Sequence, residues 1–269
     1  MEDSIETAVR RAIATMHDNL GERLTVDDLA RAAMFSKFHF TRVFQRTTGV
    51  SPGRFLSALR LQEAKRLLVS TSLSVVDISV QVGYNSVGTF SSRFSRSVGM
   101  SPTAYRQLRG HAPQIATNPQ PATVSRARVS GWAQLPSTHH DELIFLGLFA
   151  DRIPEGRPVR CTVLTRPGPY RFDTVPEGTW YLLAQSIAGD DLHTTMDPDN
   201  PRVCVATQGP LEISSNTVIH TSLQLQPVRS IDPPVLLALM DARKLAMARL
   251  AQETHEDAEM ASTGSQQAA

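Results

Sequence analysis

The sequence has little cysteine and no long apolar run. Its 269 residues contain two cysteines, Cys161 and Cys204, which are too few and too far apart for a disulfide framework or a zinc cluster. We expect both to be reduced thiols in a core. No apolar stretch approaches the roughly 20 residues that cross a bilayer. The N-terminus, MEDSIETAVRRAI, carries acids early instead of a continuous apolar segment, so we expect no secretory signal, no membrane contact and a cytoplasmic location.

Signatures of catalysis and of metal binding are also scarce. Neither an H-E-x-x-H motif nor a P-loop is present,. His139, His140 and Asp141 are adjacent in an expected turn, and adjacent residues there do not by themselves form a metal-binding face,. We therefore predict no metal, no cofactor and no catalytic residue.

Acidic residues are nearly missing from one part of the chain. Residues 31–110 hold 12 Lys and Arg but only Glu63 and Asp77, a net charge of +10. Over residues 1–110 the net charge is +6 and over 111–269 it is −5, although the whole chain carries only +1. A strongly basic segment suits a polyanionic partner. A solvated basic face without a partner is the alternative.

An internal repeat dominates this basic part. Aligned by their Ser-Pro pairs, residues 24–52 (LTVDDLARAAMFSKFHFTRVFQRTTGVSP) lie over 73–102 (LSVVDISVQVGYNSVGTFSSRFSRSVGMSP). In each copy a Ser or Thr stands three residues before an acid, which is the spacing of a capping box, so a short helix should begin there twice. An aromatic-containing turn then leads to a second helix near Ser36 and Ser86. Two helices joined by a tight turn form a helix-turn-helix.

The second helix of each copy has an apolar and a polar face. At 100° per residue, Phe40 and Phe44 face the core in the first copy, as do Phe90 and Phe94 in the second,. The glycine of each G-x-S-P should end the helix, and the proline suits the first position of the next one. The opposite faces should meet a partner.

A continuous helix should separate the two copies. Residues 53–70 (GRFLSALRLQEAKRLLVS) contain Leu or Phe at helical spacing, and about 17 helical residues extend about 25 Å. Since B-DNA repeats every ~34 Å, two helices held by such a strut could enter successive major-groove turns on one face of a duplex. A single chain could then make both groove contacts, which usually requires a dimer.

Residues 10–109 resemble the DNA-binding domain of the AraC/XylS family of transcription regulators. The resemblance lies in the paired frames, the linking stretch RLQEAKRLL at 60–68, and residues 79–106. It implies that helices 36–47 and 86–97 are recognition helices. The DNA-binding candidates are Lys37, Phe38, His39, Thr41, Arg42, Gln45, Arg46, Gly88, Ser91, Ser92, Arg93, Ser95 and Arg96.

Roles within this set also follow from the resemblance. Base contact is carried over to Phe38, Thr41 and Arg42. Phosphate contact is carried over to Lys37, Arg46, Arg93 and Arg96. Phe38 could contact a thymine methyl in the groove or pack on a neighbouring helix, and His39 could be a phosphate neighbour or a bystander.

The two copies depart from each other in two ways. Met34 stands in the turn where the second copy has Gly83, so the first turn either strains a left-handed residue or follows another path. The second copy also offers Gly88 and three serines where a long donor could read a base. We predict that helix 36–47 supplies most sequence discrimination and that helix 86–97 mainly adds affinity.

Beyond residue 110 the helical pattern ends. Residues 111–125 (HAPQIATNPQPATVS) are rich in proline and read as a linker,. Short alternating segments then predict strands and a β-sandwich. The predicted strands are 127–135, 142–150, 158–165, 178–187, 202–207 and 217–226.

One stretch of this half has a family resemblance of its own. Residues 167–186 (PGPYRFDTVPEGTWYLLAQS) are similar to carboxypeptidase regulatory-like, or transthyretin-like, sandwich domains, which implies a non-catalytic module. The residues that carry the resemblance are Gly168, Tyr170, Phe172, Val175, Pro176, Gly178 and Tyr181.

The sequence thus predicts a two-domain α + β protein. A double helix-turn-helix domain with a long central helix (1–110) and a linker (111–125) precede an antiparallel β-sandwich (126–228), a C-terminal helical segment (229–252) and a disordered tail (253–269).

The expected function is that of a sequence-specific transcription regulator of bacterial type, located at the nucleoid when bound to DNA. Its partners would be double-stranded promoter DNA and RNA polymerase, with a second copy of the chain and a small-molecule or protein effector as further possibilities. The sandwich would sense an effector, dimerise or bind another protein. A DNA-tethered enzyme and a purely architectural protein are the alternatives.

Overall fold

The computed structural model describes residues 2–110, 125–136, 142–153, 155–187 and 203–236. A helical half is followed by a β-rich half, as predicted for a two-domain α + β chain. Most of the predicted linker, the tail and the His139–Asp141 cluster lie outside the described residues.

Seven helices form the first half within the described residues. They are α1 (Glu2–Asp18), α2 (Val26–Ala32), α3 (Lys37–Thr48), α4 (Pro52–Ser70), α5 (Val75–Gln81), α6 (Val87–Val98) and α7 (Pro102–Gln107). The pairs α2–α3 and α5–α6 are the two helix-turn-helix units, which we call module one and module two.

Both modules begin with the predicted capping box. The Thr25 backbone N–H donates to Asp28 Oδ2 at 2.9 Å, and the Asp28 N–H donates back to Thr25 Oγ1 at 3.2 Å. Ser74 and Asp77 repeat this exchange in module two. Such a box satisfies N–H groups that a helix start otherwise leaves without partners. The two short helices therefore begin where the sequence indicates.

Glycine ends both second helices, also as predicted. Gly49 and Gly99 have φ of 81° and 92°, the left-handed conformation that terminates a helix without steric cost,. Ser51 and Ser101 are the N-caps of the following helices, each with proline in the first turn,. The chain thus turns sharply into α4 and α7.

The central helix α4 carries the core that both modules share. Its 19 residues span about 28 Å, and ten of them are buried,. The rings of Phe44 and Phe55 meet at 5.5 Å on the side of module one, and those of Phe94 and Tyr105, a residue of α7, meet at 5.6 Å on the side of module two. All four rings belong to one continuous apolar cluster. The helical half is therefore one packed unit.

Arg60 of α4 bridges the turn before module one and the turn inside module two. Its guanidinium donates to the carbonyls of Leu20 at 2.9 Å and Glu22 at 2.7 Å, just before module one. It also lies so close to Gly83 of module two that a Cβ there would meet its Nη2 at 2.7 Å. One side chain thus fixes two turns.

Nine strands build the second half within the described residues. They are β1 (Arg128–Gln134), β2 (Leu143–Phe149), β3 (Arg160–Leu164), β4 (Gly168–Phe172), β5 (Gly178–Ile187), β6 (Cys204–Ile213), β7 (Val218–His220), β8 (Leu223–Gln224) and β9 (Gln226–Pro227). They form a five-stranded sheet in the order β3-β2-β5-β6-β9 and a four-stranded sheet in which β4, β7 and β8 pair with β1.

The larger sheet is antiparallel throughout, whereas the smaller one is mixed. In the smaller sheet β4 pairs with β1 antiparallel, but β7 and β8 pair with β1 in parallel. The predicted strand 217–226 is accordingly broken, because β7 and β8 serve the smaller sheet while β9 crosses to pair with β6 in the larger one. A strand that changes sheets must bend at the crossing.

The main core of the sandwich lies between the two sheets. Trp180 is buried in it and donates from Nε1 to the Pro176 carbonyl at 2.8 Å, whereas the neighbouring Tyr181 is half-buried. Alternation along the strand predicts that split. Every residue of β2 is buried, so the larger sheet is covered on its outer face as well.

The chain returns to the helical half after β9. Residues 229–236 contain a turn but no helix, and Ile231 and Leu236 join the apolar cluster of the helices. The rest of the predicted C-terminal helix, from 237 onwards, lies outside the described residues.

A loop after β2 lies between the central helix α4 and module two. Arg54, in the first turn of α4, contacts Asp151 at 2.6 Å and Glu155 at 3.2 Å. Glu155 Oε2 also accepts the hydroxyl of Ser97 in α6 at 2.8 Å, and the Gly156 N–H donates to the Ser97 carbonyl at 2.9 Å. The β-rich half therefore contacts the central helix and module two at once.

Candidate nucleic-acid interface

The outward face of α3 is exposed along its length. The Phe38 side chain is 88% exposed although its neighbour Phe40 is fully buried. Of the two interpretations of this ring, packing on a neighbouring helix is therefore wrong within the described residues. Arg42 and Gln45 follow on the same face and are exposed, and Thr41 is half-exposed.

The start of α3 is held by local polar contacts. Lys37 Nζ contacts Asp27 Oδ2 at 2.8 Å, with both side chains about half exposed. The Thr41 hydroxyl donates to the Lys37 carbonyl at 2.9 Å, and the His39 ring meets Phe35 edge-on at 4.7 Å. Because an exposed ion pair is weak, Lys37 can leave Asp27 for a phosphate at little cost.

The arginines of α3 and α6 are exposed and available for a partner. Arg42, Arg46, Arg93 and Arg96 are all exposed. None of the four forms an ion pair with any residue that the structure describes. Guanidinium groups bind phosphate and guanine edges through paired N–H donors. Positive charge without a local counter-ion is what a phosphate backbone attracts.

The outward face of α6 is made of small side chains. Ser92 is exposed and Ser91 and Ser95 are half-exposed. A Cβ added at Gly88 would meet only Ser86 Oγ, at 3.6 Å, so the space in front of the helix is open. This face lets a duplex approach closely but carries no long donor other than the flanking arginines.

The two turns differ as the sequence suggests. Met34 has φ of 58° and a side chain that is 74% exposed, and Gly83 has φ of 81°. Of the two expected paths, module one therefore takes the one that strains a left-handed residue. A non-glycine residue in that conformation costs about 1–2 kcal/mol.

All thirteen predicted DNA-binding residues lie at least partly at the surface, on α3 and α6. Sequence reasoning did not find the residues that hold these helices in place from outside their modules. Arg54 and Glu155 are 101 positions apart, and no local spacing relates them. Arg60 resembles any exposed helical arginine in the sequence.

The described residues hold no metal-binding cluster, and two candidate nucleophiles, Cys204 and Ser51, lie in positions that do not favour catalysis. Its His, Cys, Asp and Glu side chains form no group of three or more that could hold a metal. Cys204 is buried, and burial raises the pKa of its thiol to about 11. The stretch 49-GVSPG-53 formally matches the G-x-S-x-G nucleophile motif, but Ser51 caps α4 and follows a helix, whereas that motif needs a strand before the serine,.

Among the described helices, none combines the length and the apolar character that a bilayer crossing requires.

Comparison with known sequences points to one family. A sequence model of helix-turn-helix domains matches residues 29–108. The HTH-type transcriptional activator AarP of Providencia stuartii is 33% identical over 98 residues, which cover 36% of this chain and 73% of AarP. The uncharacterized HTH-type transcriptional regulator YobQ of Bacillus subtilis is 31% identical over 106 residues, which cover 39% of this chain but only 44% of YobQ.

Solved structures also match part of this chain. The DNA-binding domain of AdpA, a global transcriptional factor solved in complex with a target DNA, is 33% identical, with a TM-score of 0.37, and the match covers 39% of this chain and 96% of that one. On its helical half, the chain belongs to the AraC/XylS family of helix-turn-helix transcription regulators.

Proposed function

We propose that this protein is a sequence-specific regulator of transcription that binds promoter DNA through α3 and α6. The observation that carries the proposal is the pair of exposed helix faces flanked by four arginines, none with a counter-ion among the described residues. Family membership adds that related chains are transcription regulators. Contact with RNA polymerase and action in the cytoplasm, at the nucleoid when DNA is bound, belong to the same proposal.

We further propose that the two helices read unequally. The α3 face offers Arg42, Gln45 and Phe38, which can pair with base edges or contact a thymine methyl. The α6 face offers serines, which can pair with several bases, and the arginines 93 and 96, which suit phosphates. Module one would then supply most of the discrimination, and module two most of the sequence-independent affinity.

The β-rich half is proposed to regulate this binding and not to catalyse a reaction. Its loop at 151–156 contacts Arg54 and Ser97, one in the helix that follows α3 and the other in α6. Any change that moves the loop would therefore reach α4, directly after α3, and module two. An effector, a second copy of the chain or another protein could cause such a change.

A selection experiment with the full chain tests the proposed DNA binding. Duplexes with a random central segment are incubated with the protein, and the bound fraction is sequenced after several rounds. We expect enrichment of a site with two parts whose centres are about 10 base pairs apart. The affinity for the enriched site should fall steeply with salt concentration. The absence of any enriched site, or an affinity that ignores salt, would contradict the proposal.

A further inference from the structure

A cavity lies between the outer face of the larger sheet and the end of α3. Its volume is about 660 Å³, within the range of small-molecule sites. Thr47 and Thr48 of α3 line it, as do Phe145 and Leu183 of the sheet. Both sheet residues are buried, at 2% and 6% exposure. The cavity therefore lies at the junction of the helical and β-rich halves and has an apolar floor.

A buried hydrogen-bond acceptor without a partner lies in the wall of this cavity. Gln185 of β5 is 7% exposed, and its Oε1 accepts no hydrogen bond within the described part of the chain. An amide oxygen in that state costs free energy unless a donor reaches it. The Oε1 atom itself has almost no accessible surface. A ligand N–H or O–H group would therefore supply that donor once the Gln185 side chain turns towards the cavity.

The cavity also has one cationic group that is not neutralised locally. Arg152 lines it, and its side chain lies across Gly49, where an added Cβ would come within 2.1 Å of the Arg152 Nε. The other arginine of the wall, Arg229, is already paired with Asp232 at 2.9 Å. Arg152 itself forms no ion pair with any residue that the structure describes. A carboxylate on the ligand would match the two-pronged guanidinium.

We propose that this cavity binds a small amphipathic carboxylate with an apolar ring and a hydrogen-bond donor. The ring packs on Phe145 and Leu183, the donor satisfies Gln185 Oε1, and the carboxylate pairs with Arg152. Because Thr47 and Thr48 end the recognition helix α3, an occupied cavity touches the element that reads DNA. This cavity would be the place where the proposed effector binds. Its regulatory role rests on the proposed function.

The test uses the full chain without DNA and three related probes in titration calorimetry. Indole-3-acetate carries the ring, the N–H donor and the carboxylate. Tryptamine keeps the ring and donor but reverses the charge, and indole-3-ethanol is neutral. We expect saturable binding of indole-3-acetate and binding of tryptamine that is weaker by about tenfold or more, as loss of a charge-assisted pair implies.

Variants of the cavity locate the bound probe. Arg152→Gln and Gln185→Leu should each weaken indole-3-acetate by about fivefold or more. Gln185→Leu also removes the buried unpaired acceptor, so it should not unfold the chain. Arg157→Gln is the matched control, because Arg157 is exposed in the same loop but does not line the cavity. Its affinity for the probe should equal that of the unaltered chain.

Three results would contradict the proposed binding site. They are no saturable binding of indole-3-acetate at millimolar concentration, equal binding of tryptamine, or unchanged affinity in both cavity variants. Failure of the proposed function is a separate outcome, since a chain that binds the probe but no duplex keeps the site and loses the DNA-binding role. A chain that binds DNA but not the probe loses only the site.

Discussion

Module one and module two have the same framework but expose different chemistry. Each begins with a capping box, turns through a left-handed residue and ends its second helix at a glycine. Module one puts Met34 in the strained turn and long donors on α3, whereas module two has Gly83 in the turn and serines on α6. The framework is what the shared core requires, and the exposed residues are free to differ. Substitutions at matched positions of the two modules should separate the residues of the shared framework from the exposed residues that differ.

The largest effects should come from matched core substitutions in the two modules. Phe44 and Phe94 occupy the same position in each copy and are fully buried. Phe44→Ala and Phe94→Ala should each lower the free energy of unfolding by about 3–5 kcal/mol. Because both rings belong to one apolar cluster, each variant should unfold the helical half in a single transition. Two separate transitions by circular dichroism would show that the modules are independent.

A buried cation in the shared helix gives a pH effect that belongs to neither module. Lys65 of α4 is 5% exposed, and burial lowers the pKa of its ammonium to about 7. Between that value and about 10.4 the unfolded chain binds a proton that the folded chain lacks, so stability should rise with pH. The rise is at most about 1.4 kcal/mol per pH unit in this window.

The difference between the unaltered chain and Lys65→Met isolates this titration from that of other groups. Urea unfolding at several pH values from 6 to about 10 measures it. The stability difference should be largest below pH 7, in favour of the methionine variant, and shrink as pH rises. A difference that is constant with pH would mean that Lys65 stays charged in the folded protein.

The two turns should respond in opposite directions to matched substitutions. Gly83→Ala places a Cβ at φ of 81° and within 2.5 Å of the Leu20 carbonyl, so it should destabilise by about 1–3 kcal/mol. Met34→Gly relieves the left-handed methionine and should stabilise by about 0.5–1 kcal/mol, the rest being lost to the more flexible unfolded chain. Equal signs in thermal unfolding would mean that the turns are not equivalent.

The smallest difference should appear at the N-caps of α3 and α6. Ser86 Oγ accepts the Thr89 N–H at 3.4 Å, whereas Ser36 makes no side-chain capping bond. Ser86→Ala should therefore cost about 0.5 kcal/mol, at the low end for a cap, and Ser36→Ala close to nothing. Chemical denaturation of both variants measures the contrast, and a larger loss at Ser36 would contradict it.

Local features of the helical half are those that the sequence predicts well. Each of these features depends on residues only a few positions apart, so a short stretch of sequence predicts it. Examples are the capping pair Thr25 and Asp28, the helix-ending glycines at 49 and 99, and the phenylalanine spacing. The predicted strand 217–226 is less accurate. It is broken into three because its parts pair with strands of two different sheets, which its own sequence pattern does not show. Contacts such as Arg54 with Glu155 join distant segments, and sequence spacing carries no signal for them.

The candidate interface divides in the same way. The exposure of Phe38 and of the arginines on α3 and α6 follows from helical periodicity, which the sequence shows. The cavity beside Gln185 does not, since it depends on how the larger sheet packs against the end of α3. A glutamine within an apolar strand indicates an unusual environment but not what surrounds it.

The unequal reading of DNA by the two modules is tested most directly by the base preference of two arginine variants. The affinities of Arg42→Ala and Arg96→Ala are measured on every single-base variant of the selected duplex, at two salt concentrations. Arg42→Ala should lose about 1–3 kcal/mol of discrimination at positions of one half-site only. Arg96→Ala should weaken all duplexes alike and reduce the salt slope by about 1. Loss of binding by both variants with unchanged base preference would contradict the account.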